Sequence, residues 1–305
     1  MDAWKLGLFF TVIGVISALM LDAWAPDFRV QMKSADKTEN SGDITLQRVV
    51  SLAPNITETI FAIGAEERLK GVSSFCRYPS EAQGKTTVGS IANPNLEIIL
   101  GLRPDGIIMQ QPNPRLKDFC RSHGIAYFAL EMNDIETIKE GIVRVGELLE
   151  SKESALELLA SMETSFENLR SDKKEGRPRV LLLTGRTPGS LKGMYAAGSK
   201  SYMSELLHVA GGENIMADTP KKFVPVSLET VIERDPDIII ETYMQASLAK
   251  STRSQLHSDW QRVPRLTAVK NNEIHIITEN FVQIPGPRIV QTAELFKRLC
   301  ENSAF

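Results

Sequence analysis

The residues best placed to do chemistry in this chain are two glutamates in the same setting. Glu97 lies in Asn95-Leu96-Glu97, which runs on to Arg103-Pro104-Asp105-Gly106-Ile107-Ile108. Glu229, 132 residues later (229 − 97), lies in Ser227-Leu228-Glu229, which runs on to Asp235-Pro236-Asp237-Ile238-Ile239-Ile240. Carboxylates at matching positions on two lobes are suited to recognition: they would meet arginines of a partner and steer its docking. Each also favours the start of its own helix, worth about 0.3–1 kcal/mol at a surface. Catalysis needs more than this. The sequence holds no G-x-S-x-G, no G-x-x-x-x-G-K-[ST] and no H-E-x-x-H, and its four histidines are scattered with no metal-ligand spacing. The chain is therefore read as a non-enzyme with no cofactor.

The elements that carry these residues follow from the repeated phrase itself. Asn95 or Ser227 caps a short helix, and Pro104 or Pro236 stops it. The β-branched run after Pro-Asp is a buried strand of a parallel sheet. A second echo, Glu58-Thr59-Ile60-Phe61-Ala62-Ile63-Gly64 against Glu205-Leu206-Leu207-His208-Val209-Ala210-Gly211, supports the first. A period this long, seen twice, predicts two lobes of similar build. Strands alternating with helices make each lobe a Rossmann-like α/β unit with its loops at the carboxyl edge of a central parallel sheet.

Residues 1–30 place Lys5 before an apolar run, Leu6 to Leu21, and then Ala23-Trp24-Ala25. That is the layout of a secretory signal peptide; Pro26 after the cleavage position leaves an uncleaved membrane anchor as the alternative. Residues 31–46 are polar and read as a flexible spacer. The N-terminal lobe is expected over 47–133 and the C-terminal lobe over 173–305. Between them, 134–172 has no proline and recurring apolar positions from Ile138 to Phe166. One long helix joining the lobes is favoured over two helices broken near Ser151, because neither Gly nor Pro marks a break. With 305 residues, 42% of them hydrophobic, and a net charge of −3, the chain can bury two cores and has no basic run for nucleic acid.

Ligands of α/β sheets sit outside the carboxyl ends of the strands, and here two such edges would enclose a cleft. The strand-end loops supply Phe75, Arg77 and Tyr78, then Gln110 and Gln111, Arg186 and Tyr195, Phe223, Tyr243 and Phe281.

These stretches together resemble a known family. Arg48-Val49-Val50-Ser51-Leu52-Ala53-Pro54-Asn55-Ile56-Thr57-Glu58, Gly71-Val72-Ser73-Ser74, Tyr78-Pro79, Asn95-Leu96-Glu97 with Pro104-Asp105, Ala210-Gly211-Gly212-Glu213-Asn214-Ile215 and Pro287-Arg288-Ile289 occur in the order seen in substrate-binding proteins of ABC importers for cobalamin and ferric siderophores. The resemblance implies a monomeric, exported, periplasmic receptor whose two lobes are joined by a single helix and hold a metal chelate between them. It implies that Glu97 and Glu229 engage arginines of the permease's transmembrane subunits. Of the strand-end residues, Phe75, Arg77, Tyr78, Gln110, Arg186, Phe223, Tyr243 and Phe281 form the expected ligand-binding set, and the resemblance matches Phe75, Phe223 and Phe281 to its aromatic ring. Among these relatives the vitamin B12 binders are most similar in wording, with departures. Ile91, Gln110 and Thr184 stand where an aromatic is expected, and Ile284 where an arginine is expected. Cys300 matches half of a disulfide whose other half is Ala210; Cys76 and Cys120 either pair or stay free. Arg77, Arg186 and Lys222 would suit an anionic chelate. The alternatives are haem or another anionic chelate as ligand, a ligand sensor, and a two-lobed enzyme such as a glycosyltransferase.

Overall fold

A computed structural model describes residues 44–170, 176–243 and 249–303. The signal segment, most of the spacer and residues 171–175, where the expected linking helix meets the C-terminal lobe, lie outside the described residues. In the first lobe β1 (Val49–Ser51), α1 (Pro54–Ala62), β2 (Leu69–Val72), β3 (Thr86–Thr87), α2 (Leu96–Gly101), β4 (Gly106–Met109), α3 (Pro114–Ser122) and β5 (Ala126–Ala129) alternate as expected. They form a parallel sheet in the order β3-β2-β1-β4-β5, the doubly wound order in which the crevice opens between β1 and β4.

The second lobe contains β6 (Arg179–Leu183), β7 (Met194–Ala197), α6 (Tyr202–Val209), β8 (Glu213–Asn214), β9 (Phe223–Val226), α7 (Leu228–Arg234) and β10 (Ile238–Thr242). It continues with α8 (Lys250–Trp260), α9 (Thr267–Lys270), β11 (Ile274–Ile277) and α10 (Ile289–Asn302). Its sheet runs β11-β10-β6-β7-β9, with β8 beside the start of β6. One strand departs from the all-parallel expectation: β7 runs antiparallel to both β6 and β9. The loop before it carries Gly185, Gly189 and Gly193 at positive φ. Such a loop turns the chain directly back, where a parallel return would need a longer crossover.

The repeated phrase has a structural cause. Asn95 accepts a hydrogen bond from Ile98 N and Ser227 from Thr230 N, so both helices are capped as predicted. After each proline, the aspartate side chain accepts from the backbone at the start of the neighbouring strand. Asp105 takes Gln47 N and Arg48 N, and Asp237 takes Arg179 N. In return, Arg48 donates to Leu102 O and Arg103 O, and Arg179 to Asp235 O, at the carbonyl end of the capped helix. Pro-Asp thus ties helix end, strand start and neighbouring strand together in both lobes.

The stretch 134–172, expected as one helix, is two: α4 (Ile135–Leu148) and α5 (Lys152–Leu169). Lys139 of α4 pairs with Glu163 of α5, and Gly146 lies against Ala155, so the helices run antiparallel as a hairpin. The break needs neither Gly nor Pro because Glu150 takes φ 51°, closing the turn through Ser151 N to Gly146 O. Only α5, 18 residues and about 27 Å long, leads on toward the second lobe, while α4 folds back on α1.

Period-two alternation divides each strand between two cores. Val50, Ile107 and Met109 face an outer core with Leu116 and Cys120. Leu181, Leu183 and Ile239 face another with Trp260. The intervening residues Val49, Ile108, Val180, Leu182, Ile238 and Ile240 belong to one core that runs through both lobes with α4, α5 and Phe296. The described residues accordingly form one compact unit. The two glutamates of the second echo reinforce it. Glu58 binds Arg288 of the other lobe, and Glu205 accepts from Ile135 N at the start of α4.

A Cβ on Gly146 would come within 2.6 Å of the Ala155 Cβ. Gly146→Val should therefore cost about 1–3 kcal/mol by overpacking, read as a lower urea midpoint at unchanged m-value. An unchanged midpoint would mean that the hairpin is not packed this closely.

Candidate functional site

The carboxyl edge of the first sheet carries the loop that follows β2. Phe75 and Tyr78 remain 46% and 43% exposed there, far from the burial usual for large aromatics, and Arg77 is exposed between them. The same loop lines a groove of about 340 Å³ with Ser73, Ser74, Arg77 and Gln83. On the second lobe, Tyr195 of β7 and Phe223 of β9 are 53% and 45% exposed on adjacent antiparallel strands. Aromatics left open on both lobes are what a large, flat ligand requires.

The remaining predicted residues divide. Phe281 is half-buried, and its ring shares the Arg288 guanidinium with Tyr78, at 5.9 and 3.8 Å from the two centroids. That guanidinium brings a first-lobe and a second-lobe residue of the predicted set together. Gln110 is turned inward, its amide donating to Met132 O. Buried Met132 also receives the Asn55 amide on its sulfur, and the same amide reaches Pro285 O of the second lobe. Asn55, Met132 and Gln110 thus lie together at the β1/β4 crevice, where they bond to one another and to the second lobe. Lys222 Nζ lies 3.9 Å from Glu131 Oε2 across the lobes. Glu131 is a lobe-junction residue the sequence reading missed, since an isolated exposed glutamate has no signal of its own.

Arg186 requires a correction. It was expected to offer a cation to the ligand, yet its side chain is completely buried. It donates to Glu241 at 2.9 Å, Asp259 at 2.8 Å, Ser190 O and Leu256 O, and it packs 5.5 Å from the Trp260 ring. Trp260 Nε1 also donates to Glu241. Tyr243 belongs to this cluster: its hydroxyl donates to Glu241 Oε2 at 2.8 Å, and burial and the Glu241 charge push its pKa up. Together they anchor the loop after β6 to β10 and α8. Burial works to raise the Asp259 pKa, but hydrogen bonds from Arg186, Gln255 and Gly189 outweigh it and hold the carboxyl below the usual range.

Glu97 and Glu229 are both exposed, each in the first turn of its helix. Both helices lead into a strand parallel to their sheet's central strand, so both glutamates start from the carboxyl edges of their sheets. Backbone and Ser227 hydrogen bonds lower the Glu229 pKa. Beside Glu97, Ile98 and Leu100 stay partly open to solvent. Among the described residues no three His, Cys, Asp or Glu side chains gather as a metal site, and no helix is long and apolar enough to cross a membrane.

Residues 49–280 match the family model for the periplasmic binding protein, spanning both lobes and the helices between them. The chain belongs to that family. Its members are substrate-binding transport proteins and not enzymes, which disposes of the glycosyltransferase alternative. A cobalamin-binding protein of Halobacterium salinarum is 28% identical over 278 residues, covering 88% of this chain and 73% of its own. A vitamin B12-binding protein of Photorhabdus laumondii is 28% identical over 262 residues, covering 84% and 87%. Among solved structures, a periplasmic heme binding protein of Vibrio cholerae has a TM-score of 0.73 at 22% identity, over 85% of this chain and 99% of that one. The last likeness speaks for the shared two-lobed fold.

In this periplasmic binding protein all three cysteines are free and buried, Cys76 and Cys300 in the shared core and Cys120 in the outer core of the first sheet. Burial pushes the Cys120 and Cys300 thiols up to about 11 and about 12. Cys76 and Cys120 therefore do not pair.

The Asp259 shift has a consequence for acid stability. A carboxylate whose pKa is lower folded than unfolded adds stability above its unfolded value, about 3.9, and loses it as pH falls further. Asp259→Asn should lower the urea midpoint at pH 7, with the gap to wild type closing below about pH 4. A gap that stays constant to pH 3 would remove the carboxylate charge from the account.

Proposed function

We propose that this protein is an exported periplasmic receptor that captures a metal chelate, a corrinoid or a ferric chelate, between its lobes and delivers it to an ABC permease. The observation that carries this reading is the set of aromatics left open on both lobes, Phe75 and Tyr78 on the loop after β2 and Tyr195 and Phe223 on β7 and β9. Exposed aromatic faces on two walls suit a broad, flat, apolar ligand, while Arg77 and Lys222 suit acidic arms. Cobalamin is the first ligand to try, because the relatives named above bind it. Haem is the second, favoured by the heme binding protein of the same fold. The lobes are tied by a common core, so binding proceeds with little closure and affinity rests on pre-formed walls. Glu97 and Glu229 dock the loaded receptor on arginines of the permease, the exposed Ile98 and Leu100 adding apolar contact. The apolar segment near the N-terminus directs export and either is cleaved or remains as an anchor.

Calorimetric titration with cyanocobalamin, haemin and a ferric siderophore tests the cargo. One-to-one binding of one of them is expected; silence with all three would overturn the chelate reading. Phe75→Ala with Phe281→Ala should weaken that binding at least tenfold, and unchanged affinity would place the ligand elsewhere. Glu97→Ala with Glu229→Ala should leave affinity intact and abolish stimulation of the permease's ATPase in proteoliposomes. Loss of ligand binding in that variant would put the glutamates in the cleft instead.

A further inference from the structure

Arg288 has no place in the ligand-binding set read from sequence, and its surroundings are unlike those of a solvated cation. It is nearly buried, at 8% exposure. Its edge is consumed by hydrogen bonds: Nε and Nη2 grip the Glu58 carboxylate at 2.9 and 2.5 Å, and Nη1 donates to Asn280 Oδ1 at 2.7 Å. Its face is used separately. The guanidinium carbon lies 3.8 Å from the centre of the Tyr78 ring, a stacking distance, and 5.9 Å from that of Phe281. Glu58 comes from α1 of the first lobe and Tyr78 from the loop after β2. Arg288 and Phe281 come from the segment before α10. One planar group therefore locks the lobe junction with its edge and supports an aromatic residue from each lobe with its face, as only an arginine fork can.

We propose that Arg288 is a positioning and specificity-determining residue of the cleft, holding Tyr78 so that its open side is offered to an electron-rich planar ligand. This rests on the chelate reading given above. The ring has a negative face and a positive edge, and a cation stacked on one face draws that density toward itself. The face left open is correspondingly less negative. It favours a flat, electron-rich or anionic π-system and disfavours a cationic one. Glu58 fixes the guanidinium in plane, so the support is present before ligand arrives and little ordering is needed on binding.

Removing Arg288 alone would strand the buried Glu58 carboxylate, so the informative variant is Glu58→Leu with Arg288→Met, an apolar pair of similar volume. The full chain would be titrated with cyanocobalamin and with haemin as wild type, as this double variant, as Tyr78→Ala, and as the triple variant. Circular dichroism would confirm folding. The double variant and Tyr78→Ala should each bind at least tenfold more weakly, and the triple variant within about twofold of Tyr78→Ala, because both changes remove the same contact. Wild-type affinity in the folded double variant, or fully additive losses in the triple variant, would overturn the proposal. A readout without ligand accompanies these: the 19F resonance of 3-fluorotyrosine at position 78, assigned by its loss in Tyr78→Ala. It should shift and broaden in the double variant, and an unchanged line would overturn the positioning role. If neither ligand binds wild type, the cargo reading falls while the 19F line still decides whether Arg288 holds Tyr78.

Discussion

The ion pair between Glu58 and Arg288 is the constraint on which the arrangement of this protein depends. Its partners are 230 residues apart in sequence, and both are almost entirely out of solvent. A buried pair of this kind adds little net stability over an apolar one, because desolvation of both charges offsets their attraction. Breaking it by loss of one partner is expensive, about 3–5 kcal/mol. It therefore contributes more to the specificity of the junction than to its stability, because the fork meets the carboxylate in this packing of the lobes. Burial raises the Glu58 pKa while the Arg288 hydrogen bonds and charge pull the other way, the usual tension of an ion pair placed in a core. Around it, Asn55 reaching Pro285, Tyr202 N reaching Asn133 O and the continuous hydrophobic core complete the junction.

The second lobe has a corresponding centre in Arg186. Two carboxylates, two carbonyls and an indole ring surround it, and every one comes from an element at the carboxyl edge of the sheet or just beyond it. Where Arg288 joins the lobes, Arg186 joins the strand-end loop after β6 to β10 and α8. Both arginines lie near the cleft, yet neither presents a free charge to it. Arg77, Lys222 and Glu131 do remain in solvent, near aromatics that the fold leaves open. The result is a wall stiffened from behind by buried charge and apolar in front.

The likeness between the lobes has a simpler origin than symmetry of function. Pro-Asp in each phrase stops a helix, caps the neighbouring strand and starts the next strand, with Arg48 and Arg179 returning bonds to the helix end. Asp235 and Arg103 both take positive φ at the same point of this turn. Such a device orients Glu97 and Glu229 alike with respect to their own sheets. Two equivalent carboxylates are then available to a partner that meets both lobes, whatever the cleft contains.

The sequence by itself determined the alternation of strands and helices, the two-lobed plan, the capped helix starts and the glutamates exposed on them. These depend on local matters: β-branched runs of strand length, Asn or Ser before a helix, and Pro after it. It also placed Phe75 and Tyr78 on a strand-end loop, where they do stay open, while Phe223, expected on such a loop, stays open as the first residue of β9. Only tertiary structure decided which charges the cleft keeps. Nothing within a window of sequence distinguishes Arg77, which remains in solvent, from Arg186, whose partners lie 55 and 73 residues away. The same is true of the break at Glu150, where the apolar period continues on both sides and the contacts of Gly146 with Ala155 and of Lys139 with Glu163 show that the helices double back. The antiparallel β7 likewise follows from three glycines whose φ values the fold selects. Local propensity and periodicity choose elements; burial and partners brought together over tens to hundreds of residues choose what each charged or aromatic side chain does.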